Sequence, residues 1–467
     1  MILPILSAVL GIIAFLPTNI YPVAFVFLAP LFIFFIREEK IWRLVLGTVL
    51  FQIIFLSGTV YFTLEPILWI EVILTFLGLP IVIWLIKKIS IYFFPFSSGP
   101  CLLLVLLPFA FTFFDHLQAR FALIPTYIMT AGNALGSSSF VGLANVGGLI
   151  TLTFFVAVIN TLFVSLVLNW QSVQHRVLDT KILAFSILTA VLIFSGWQIS
   201  TYELRKNFLS YHNLPNSFSI AIVSTNDKFT FSSFPELIEE LRKQKTDLVV
   251  FPEDIFNQPT SSLLFQNVAK ELNVYVLAAY DTFENGEKYN TSIFFDAQGN
   301  IVGVHNKNRL TFIGEYWPFG NWQPSLYKWL REKNPQIANY AIFSQANAYR
   351  TGQQNLLTSN FPSGQVFFAT PICLEIQYPN DLQKYKNSGA RFIVNQSSNR
   401  WIGPGTNHFL YLTNNLRKIE ATWLGLPIIV SGVDDYAGIV LSNGQANLIN
   451  YENNIKNYSI HFGEVRY

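Results

Sequence analysis

The consecutive stretches SFSIAIVST (217–225), FPELIEELRKQK (234–245) and LVVFPED (248–254) read as strand, helix and strand. The first and third are short, apolar and β-rich. In the second, Phe234, Leu237, Ile238 and Leu241 recur at helical spacing. The alternation continues with SSLLFQNVAKELN (261–273), a helix carrying Leu264, Val268 and Leu272 on one stripe, and with the strand VYVLAAYDT (274–282). SIFFDAQGNIVGVHNK (292–307) predicts a hairpin that turns near Gly299. QVFFATPI (365–372), RFIVNQ (391–396), LPIIVSG (426–432) and AGIVLS (437–442) are further strands, the last followed by the turn pair Asn443-Gly444. A helix over 407–425 should stop at Gly425. Strands alternating with helices imply an α/β domain over 216–467, its sheet covered on both sides.

Upstream of this domain the composition changes. The chain has 467 residues, 52% hydrophobic and 12% charged, with a net charge of +2. Ordinary soluble domains carry about 25% charge. The first 200 residues hold only 14 of the 58 charged side chains. That excludes a purely soluble enzyme, a disordered chain and a small disulfide scaffold, and the near-neutral balance excludes a broadly basic nucleic-acid binder. Seven apolar runs fit membrane helices, near 2–17, 21–36, 42–63, 66–86, 101–118, 145–168 and 182–200, giving a transmembrane domain over 1–204. The first lacks the basic start and cleavage site of a signal peptide and reads as a retained span. Arg37, Lys40, Arg43, Lys87, Lys88, Arg176 and Lys181 fall in three alternate loops, against Arg120 alone in the others. The basic face should be cytoplasmic. Seven spans then leave the α/β domain outside. Glu71, near the outer end of the fourth span, reads as an interfacial carboxylate.

There are two cysteines. Cys101 opens the fifth span, and Cys373 follows the strand 365–372. They are expected on opposite sides of the bilayer, so Cys373 is a lone thiol. Glu253 closes the strand 248–251, and Lys307 follows the hairpin. Each alone reads as a cap, a solvated cation or a small core residue. Together, three strand ends offer a base, a cation and a nucleophile to one crevice. The six histidines include no HExxH, there is no CxxC and there is no GxxxxGK[ST]. Neither a metal nor a cofactor is expected.

The motifs FPED (251–254), NKNRLTFIGEYWP (306–318), PICLE (371–375) and SSNRWIG (397–403) occur in that order. They resemble the Glu–Lys–Cys motifs of the nitrilase (carbon–nitrogen hydrolase) superfamily, and seven spans ahead of such a domain resemble the apolipoprotein N-acyltransferase family. The resemblance implies an α-helical transmembrane bundle followed by an αββα sandwich. It implies Glu253 as general base, Lys307 as catalytic lysine and Cys373 as nucleophile. Glu315 and Glu375 would be supporting residues, with the N–H of Leu374 an oxyanion donor. Tyr316 and Trp401 would face substrate. The sequence departs from the family's usual pattern at Phe251, Asp254, Phe312 and Leu374, and it ends in polar VRY (465–467) where a further span is usual.

The activity so implied is acyl transfer from a phospholipid, through a Cys373 thioester, to the α-amine of an apolipoprotein's S-diacylglyceryl-cysteine. The expected place is the bacterial inner membrane, as a multi-pass monomer with its catalytic domain periplasmic. Membrane lipid is an expected partner and nucleic acid is not. Two other readings use the same residues: a membrane-tethered amidase with water as acceptor, and a non-enzymatic lipoprotein-binding module in which Cys373→Ala would change nothing. The stretch 316–360, with Trp317, Phe319, Trp322 and Trp329, is long for a connection and reads as a lid dipping into the outer leaflet.

Overall fold

The computed structural model describes residues 1–18, 20–59, 72–93, 99–121, 126–172, 180–256, 261–312, 314–317, 322, 325, 329, 332–333, 349–400, 402, 406–449 and 456–467. The chain divides into two compact units: Met1–Asn207 with Pro404–Trp423, and Phe208–Gly403 with Leu424–Tyr467.

The first unit is helical: α1 (Ile2–Phe15), α2 (Ala29–Arg37), α3 (Ile41–Thr59), α4 (Gly78–Phe93), α5 (Gly99–Phe121), α6 (Ala144–Ser172) and α7 (Thr180–His212). Among the described residues four helical stretches are long and apolar enough to cross a membrane, Ile41–Thr59, Val72–Ser90, Leu102–Phe121 and Val141–Leu168; Ile2–Phe15 and Tyr21–Arg37 are shorter apolar helices. The seventh run lies within α7, which continues well past residue 200. Lys87 and Lys88 fall inside α4 rather than in a loop after it, because the helix continues to Phe93. Lys87 Nζ donates to the carbonyl of Glu38 at 2.6 Å, which brings this part of α4 beside the end of α2.

Three short 3₁₀ turns, Tyr127–Met129, Ala131–Leu135 and Val141–Leu143, precede α6. This non-helical backbone is buried, and side chains satisfy it: Asp115 accepts the N–H of Ala131 at 3.0 Å, and Asn133 Nδ2 donates to the carbonyl of Ile128 at 2.7 Å. Inside protein, such backbone is tolerated at membrane depth. Gly147 and Gly148 interrupt α6, and Gly148 takes φ 66° with its Cα pressed towards the Trp423 ring. That position needs both the left-handed freedom and the small size of glycine.

The second unit carries a 12-stranded sheet: β1 (Ser217–Thr225), β2 (Leu248–Glu253), β3 (Tyr275–Glu284), β4 (Glu287–Phe295), β5 (Ile301–Asn306), β6 (Leu357–Phe361), β7 (Gly364–Ala369), β8 (Phe392–Ser398), β9 (Ile428–Val433), β10 (Ala437–Val440), β11 (Ala446–Ile449) and β12 (Tyr458–Arg466). The order is β5-β4-β3-β2-β1-β9-β8-β7-β6, with β12 antiparallel to β1 along its whole length. The parallel core β3-β2-β1 and β9-β8-β7 is the strand–helix–strand pattern of the sequence. Helices α8 (Phe234–Arg242) and α9 (Ser261–Leu272) cover one face through Phe234, Leu237, Leu241, Phe265 and Val268. On the other face the two halves of the sheet, β5 to β1 and β9 to β6, pack on each other. Phe294 of β4 meets Phe368 of β7 at 5.2 Å, and Phe218 of β1 stacks on Phe361 of β6 at 4.1 Å. Two β layers sharing one core, with helices outside, make the expected αββα sandwich. The helix after β8, α10 (Thr406–Leu424), belongs almost wholly to the first unit and ends as predicted at Gly425, whose φ of 65° is a left-handed C-terminal stop.

Candidate active site

Glu253 is the last residue of β2. The register of β2 against β3 shifts between Val250 and Glu253, around Pro252, which has no N–H for the ladder. Such an irregularity re-aims the next side chain. It turns Glu253 into the interior, where the residue is 3% exposed. Lys307 follows β5 and is 1% exposed. Its Nζ lies 2.8 Å from Glu315 Oε1 and 3.5 Å from Glu253 Oε1. Cys373 opens a 3₁₀ turn, Cys373–Gln377, with φ 52°. A non-glycine residue in the left-handed region is uncommon and marks a tight, over-determined turn. The thiol is partly exposed rather than open, and Glu253 is its hydrogen-bonding neighbour.

Each charge is shaped by burial. Desolvation pushes the Glu253 carboxyl above the ordinary carboxylate range, and the nearby Glu315 adds to this against the pull of Lys307, Asn290 and Cys373. Burial disfavours the Lys307 ammonium, yet Glu315 and Glu253 more than offset it and hold the lysine well above its ordinary value. The Cys373 thiol is pushed far up by burial and by Glu253. The resting sulfur is therefore a thiol and not a thiolate. A base must take its proton during attack, and Glu253, with its Oε2 free of other partners, is placed to do so.

The structure brings together Glu253, Lys307, Glu315 and Cys373, all singled out in the sequence, and adds one residue that was not. Asn290, on β4, donates from Nδ2 to both Glu253 Oε1 (2.6 Å) and Glu315 Oε1 (2.9 Å). One amide thus bridges the two carboxylates that flank the lysine. Asparagine in the polar run EKYNTS gives no motif by itself, and only strand pairing reveals its position. Glu315 is fixed further by the N–H of Thr311 on its Oε2 at 2.7 Å. Segment 349–352 also closes over this loop: the N–H of Tyr349 donates to Glu315 O and that of Gly352 to Lys307 O, both at 2.9 Å.

Glu375 does not touch the lysine. Its carboxylate accepts the N–H groups of Ile372 (2.8 Å), Asn308 (2.8 Å) and Arg309 (3.1 Å). It ties the cysteine's turn to the lysine's loop. Leu374 is buried, and its N–H is one of the first donors of a helical turn, which have no acceptor within it. Tyr316 is half-buried with its ring against Phe312 at 5.9 Å. Trp401 lies outside the described residues, as do Glu71 and most of the proposed lid. Within that stretch Trp317 is buried and donates to the carbonyl of Trp322, while Trp322 and Trp329 are exposed. Among the described residues no group of three or more His, Cys, Asp or Glu could hold a metal.

The family models for the apolipoprotein N-acyltransferase N-terminal domain and for carbon–nitrogen hydrolases match residues 7–162 and 217–422. The apolipoprotein N-acyltransferase of Haemophilus influenzae is 22% identical over 92% of this chain and 82% of its own length. That of Aquifex aeolicus is 24% identical over 52% of this chain, and the match spans only about half (51%) of that relative. Among solved structures, the C. elegans NitFhit protein aligns over 54% of this chain and 61% of its own, at 13% identity and a TM-score of 0.39. The two domain models lie in order along one polypeptide, so the chain is similar in its first half to the N-terminal domain of apolipoprotein N-acyltransferases and in its α/β half to carbon–nitrogen hydrolases.

Proposed function

We propose that this protein transfers a fatty acyl group from a phospholipid to the α-amine of an apolipoprotein's N-terminal S-diacylglyceryl-cysteine, through a thioester on Cys373. The observation that carries the reading is a half-buried thiol beside the buried carboxylate of Glu253, with Lys307 Nζ held 3.5 Å from that carboxylate and 2.8 Å from Glu315.

In the first half-reaction Glu253 takes the Cys373 proton as sulfur adds to the ester carbonyl. The oxyanion that develops is met by Lys307 Nζ and the N–H of Leu374. Collapse breaks the ester C–O bond, and Glu253 returns the proton to the departing lysophospholipid hydroxyl. In the second, the acceptor's amine adds to the thioester, Glu253 takes the amine proton, and collapse releases the amide and the Cys373 thiol. No nucleotide is consumed, which suits a site outside the cytoplasm. The excess of basic residues at Arg37, Lys40, Arg43, Lys87 and Lys88 over Arg120 supports a cytoplasmic face for that end of the helices, with the α/β unit in the periplasm and the helices in the inner membrane. Both substrates are lipid-anchored, and confinement to one membrane raises their effective concentration.

The test is lysophospholipid release by the purified protein with and without a diacylglyceryl-cysteine peptide, joined to intact-mass analysis. A fatty-acyl mass on Cys373 that passes to the peptide is expected. Release of free fatty acid with no peptide acylation would replace the reading by a hydrolase, and a chain that never carries the mass would overturn it.

A further inference from the structure

Behind the candidate site, Glu375 gathers four contacts. Three are the backbone N–H groups of Ile372, Asn308 and Arg309. The fourth comes from a side chain: His305 Nε2 lies 3.2 Å from Glu375 Oε2. Both residues are buried, His305 completely. His305 stands on β5, two residues before Lys307. Ile372 directly precedes Cys373, and Leu374 directly follows it. One carboxylate thus couples the turn that aims Cys373 and the Leu374 N–H to the loop that carries Lys307, and the orientation of that carboxylate is fixed by an imidazole on the lysine's own strand. Burial disfavours the Glu375 carboxylate, but its hydrogen bonds to His305 and to the backbone N–H groups hold its pKa below the ordinary range. An ionised acceptor with four donors has little freedom left.

We propose that His305 is a positioning residue for acyl transfer: through Glu375 it sets the distance between the two oxyanion donors, Lys307 Nζ and Leu374 N–H. The proposal rests on the reading of Cys373 as the acylated nucleophile, but not on the identity of its natural donor. His305 does not reach substrate; Glu375 does the coupling. Losing the fourth contact frees the carboxylate to turn away from Ile372 or from Asn308 and Arg309, and the donors no longer converge on one oxygen. Donors misplaced by about 1 Å cost roughly 10- to 100-fold in rate.

The experiment compares the full-length wild type with His305→Gln and His305→Asn. Gln places an N–H near the Nε2 position, whereas Asn stops short of Glu375. Both are polar and of similar size, so folding is matched, and thermal melts of the full chain check it. The probe is p-nitrophenyl butyrate, a soluble activated ester, read by p-nitrophenol release and by acyl mass on Cys373. The expected result is kcat lowered about tenfold in His305→Asn with KM unchanged, and most of it recovered in His305→Gln. Equal kcat in His305→Asn and wild type overturns the proposal, as does an equal loss in both variants, which would mean shape alone matters. If the ester acylates Cys373 with this pattern while phospholipid never does, the positioning role stands and the phospholipid reading fails. If the wild type is never acylated, both fall.

Discussion

In the membrane unit the fully buried amide of Asn160 is saturated. It accepts the N–H groups of Leu28 (2.9 Å) and Ala29 (3.0 Å) and donates to the carbonyls of Ala24 (2.8 Å) and Val156 (2.9 Å). It closes the open start of α2 from the side of α6 and carries no charge. In the α/β unit the equally buried Lys307 faces two carboxylates, one of which keeps an oxygen without a hydrogen-bond partner among the described residues. Buried polar groups are normally paired. A saturated neutral group fixes architecture and has nothing left to exchange. A buried cluster with more carboxylates than ammonium groups has a proton to hold or release, and it is held in place by its surroundings, here by Asn290, Thr311 and the 349–352 strap. Replacing residues of the two kinds should therefore give opposite signatures, one in stability and the other in rate.

The largest effects belong to the charged cluster. Cys373→Ala should abolish acyl-enzyme formation, leaving no added mass after incubation with lipid, while the melt of the protein stays close to wild type. Any lipid-dependent acylation elsewhere on the chain would break the comparison. Glu253→Gln removes the base without changing shape and should slow acylation by about 10²- to 10⁴-fold. Single-turnover kinetics with a chromogenic ester measure it. Next comes Asn290→Leu, which removes the donor shared by both carboxylates. A lost charge-assisted hydrogen bond is worth about 1.5–3 kcal/mol, so the rate should fall about 10- to 100-fold. If Asn290→Leu instead loses stability and keeps its rate, Asn290 is an architectural residue like Asn160.

The same contrast explains what the sequence could and could not tell. Strand and helix periods carried the α/β half, because its core strands are apolar on both faces and its helices have one apolar stripe. The proposed triad was legible because Glu253, Lys307 and Cys373 each stand at a strand end within a motif of several residues. Asn290 and His305 were not. Each is a single polar residue inside a strand, and its meaning depends on what β4 and β5 are brought against. The β3–β4 turn at Asn285-Gly286 and the closing strand β12 were also unassigned. Both are polar enough to resemble loops, and β12 exists because β1 offers it a nine-residue edge. In the membrane half, hydropathy located spans but could not foresee that residues 127–143 form buried 3₁₀ turns, since their burial comes from neighbouring helices and not from their own pattern.

Asn160→Leu should show the reverse of the active-site signature. It removes the side-chain acceptor of the Leu28 N–H and the donor to the Ala24 carbonyl, while the Ala29 N–H keeps the Val26 carbonyl at 3.1 Å; each group left unsatisfied costs about 1–3 kcal/mol. A lower melting temperature in detergent is expected, with activity per folded molecule within about twofold of wild type. Loss of rate at unchanged stability would place Asn160 among the functional residues and dissolve the distinction.

The smallest and sharpest test lies where the two behaviours meet, at Asp254. It follows Glu253 with φ 57°, and its Oδ1 is buried without a partner among the described residues. Burial, together with Glu253, Asp281 and Glu315, raises its carboxyl from an ordinary 3.8 to about 8. The sign follows directly. Between about 4 and about 8 the folded protein keeps a proton that the unfolded chain has released, so this group's contribution to stability falls as pH rises through that window. Asp254→Asn keeps the shape and removes the titration. Melts of the variant should match wild type below about pH 3, where Asp254 is neutral in both states, and exceed it progressively towards pH 8 by a few degrees. Parallel curves would mean that Asp254 is ionised in the folded state and compensated by a cation, and the excess of negative charge around Lys307 would then be smaller than the geometry implies.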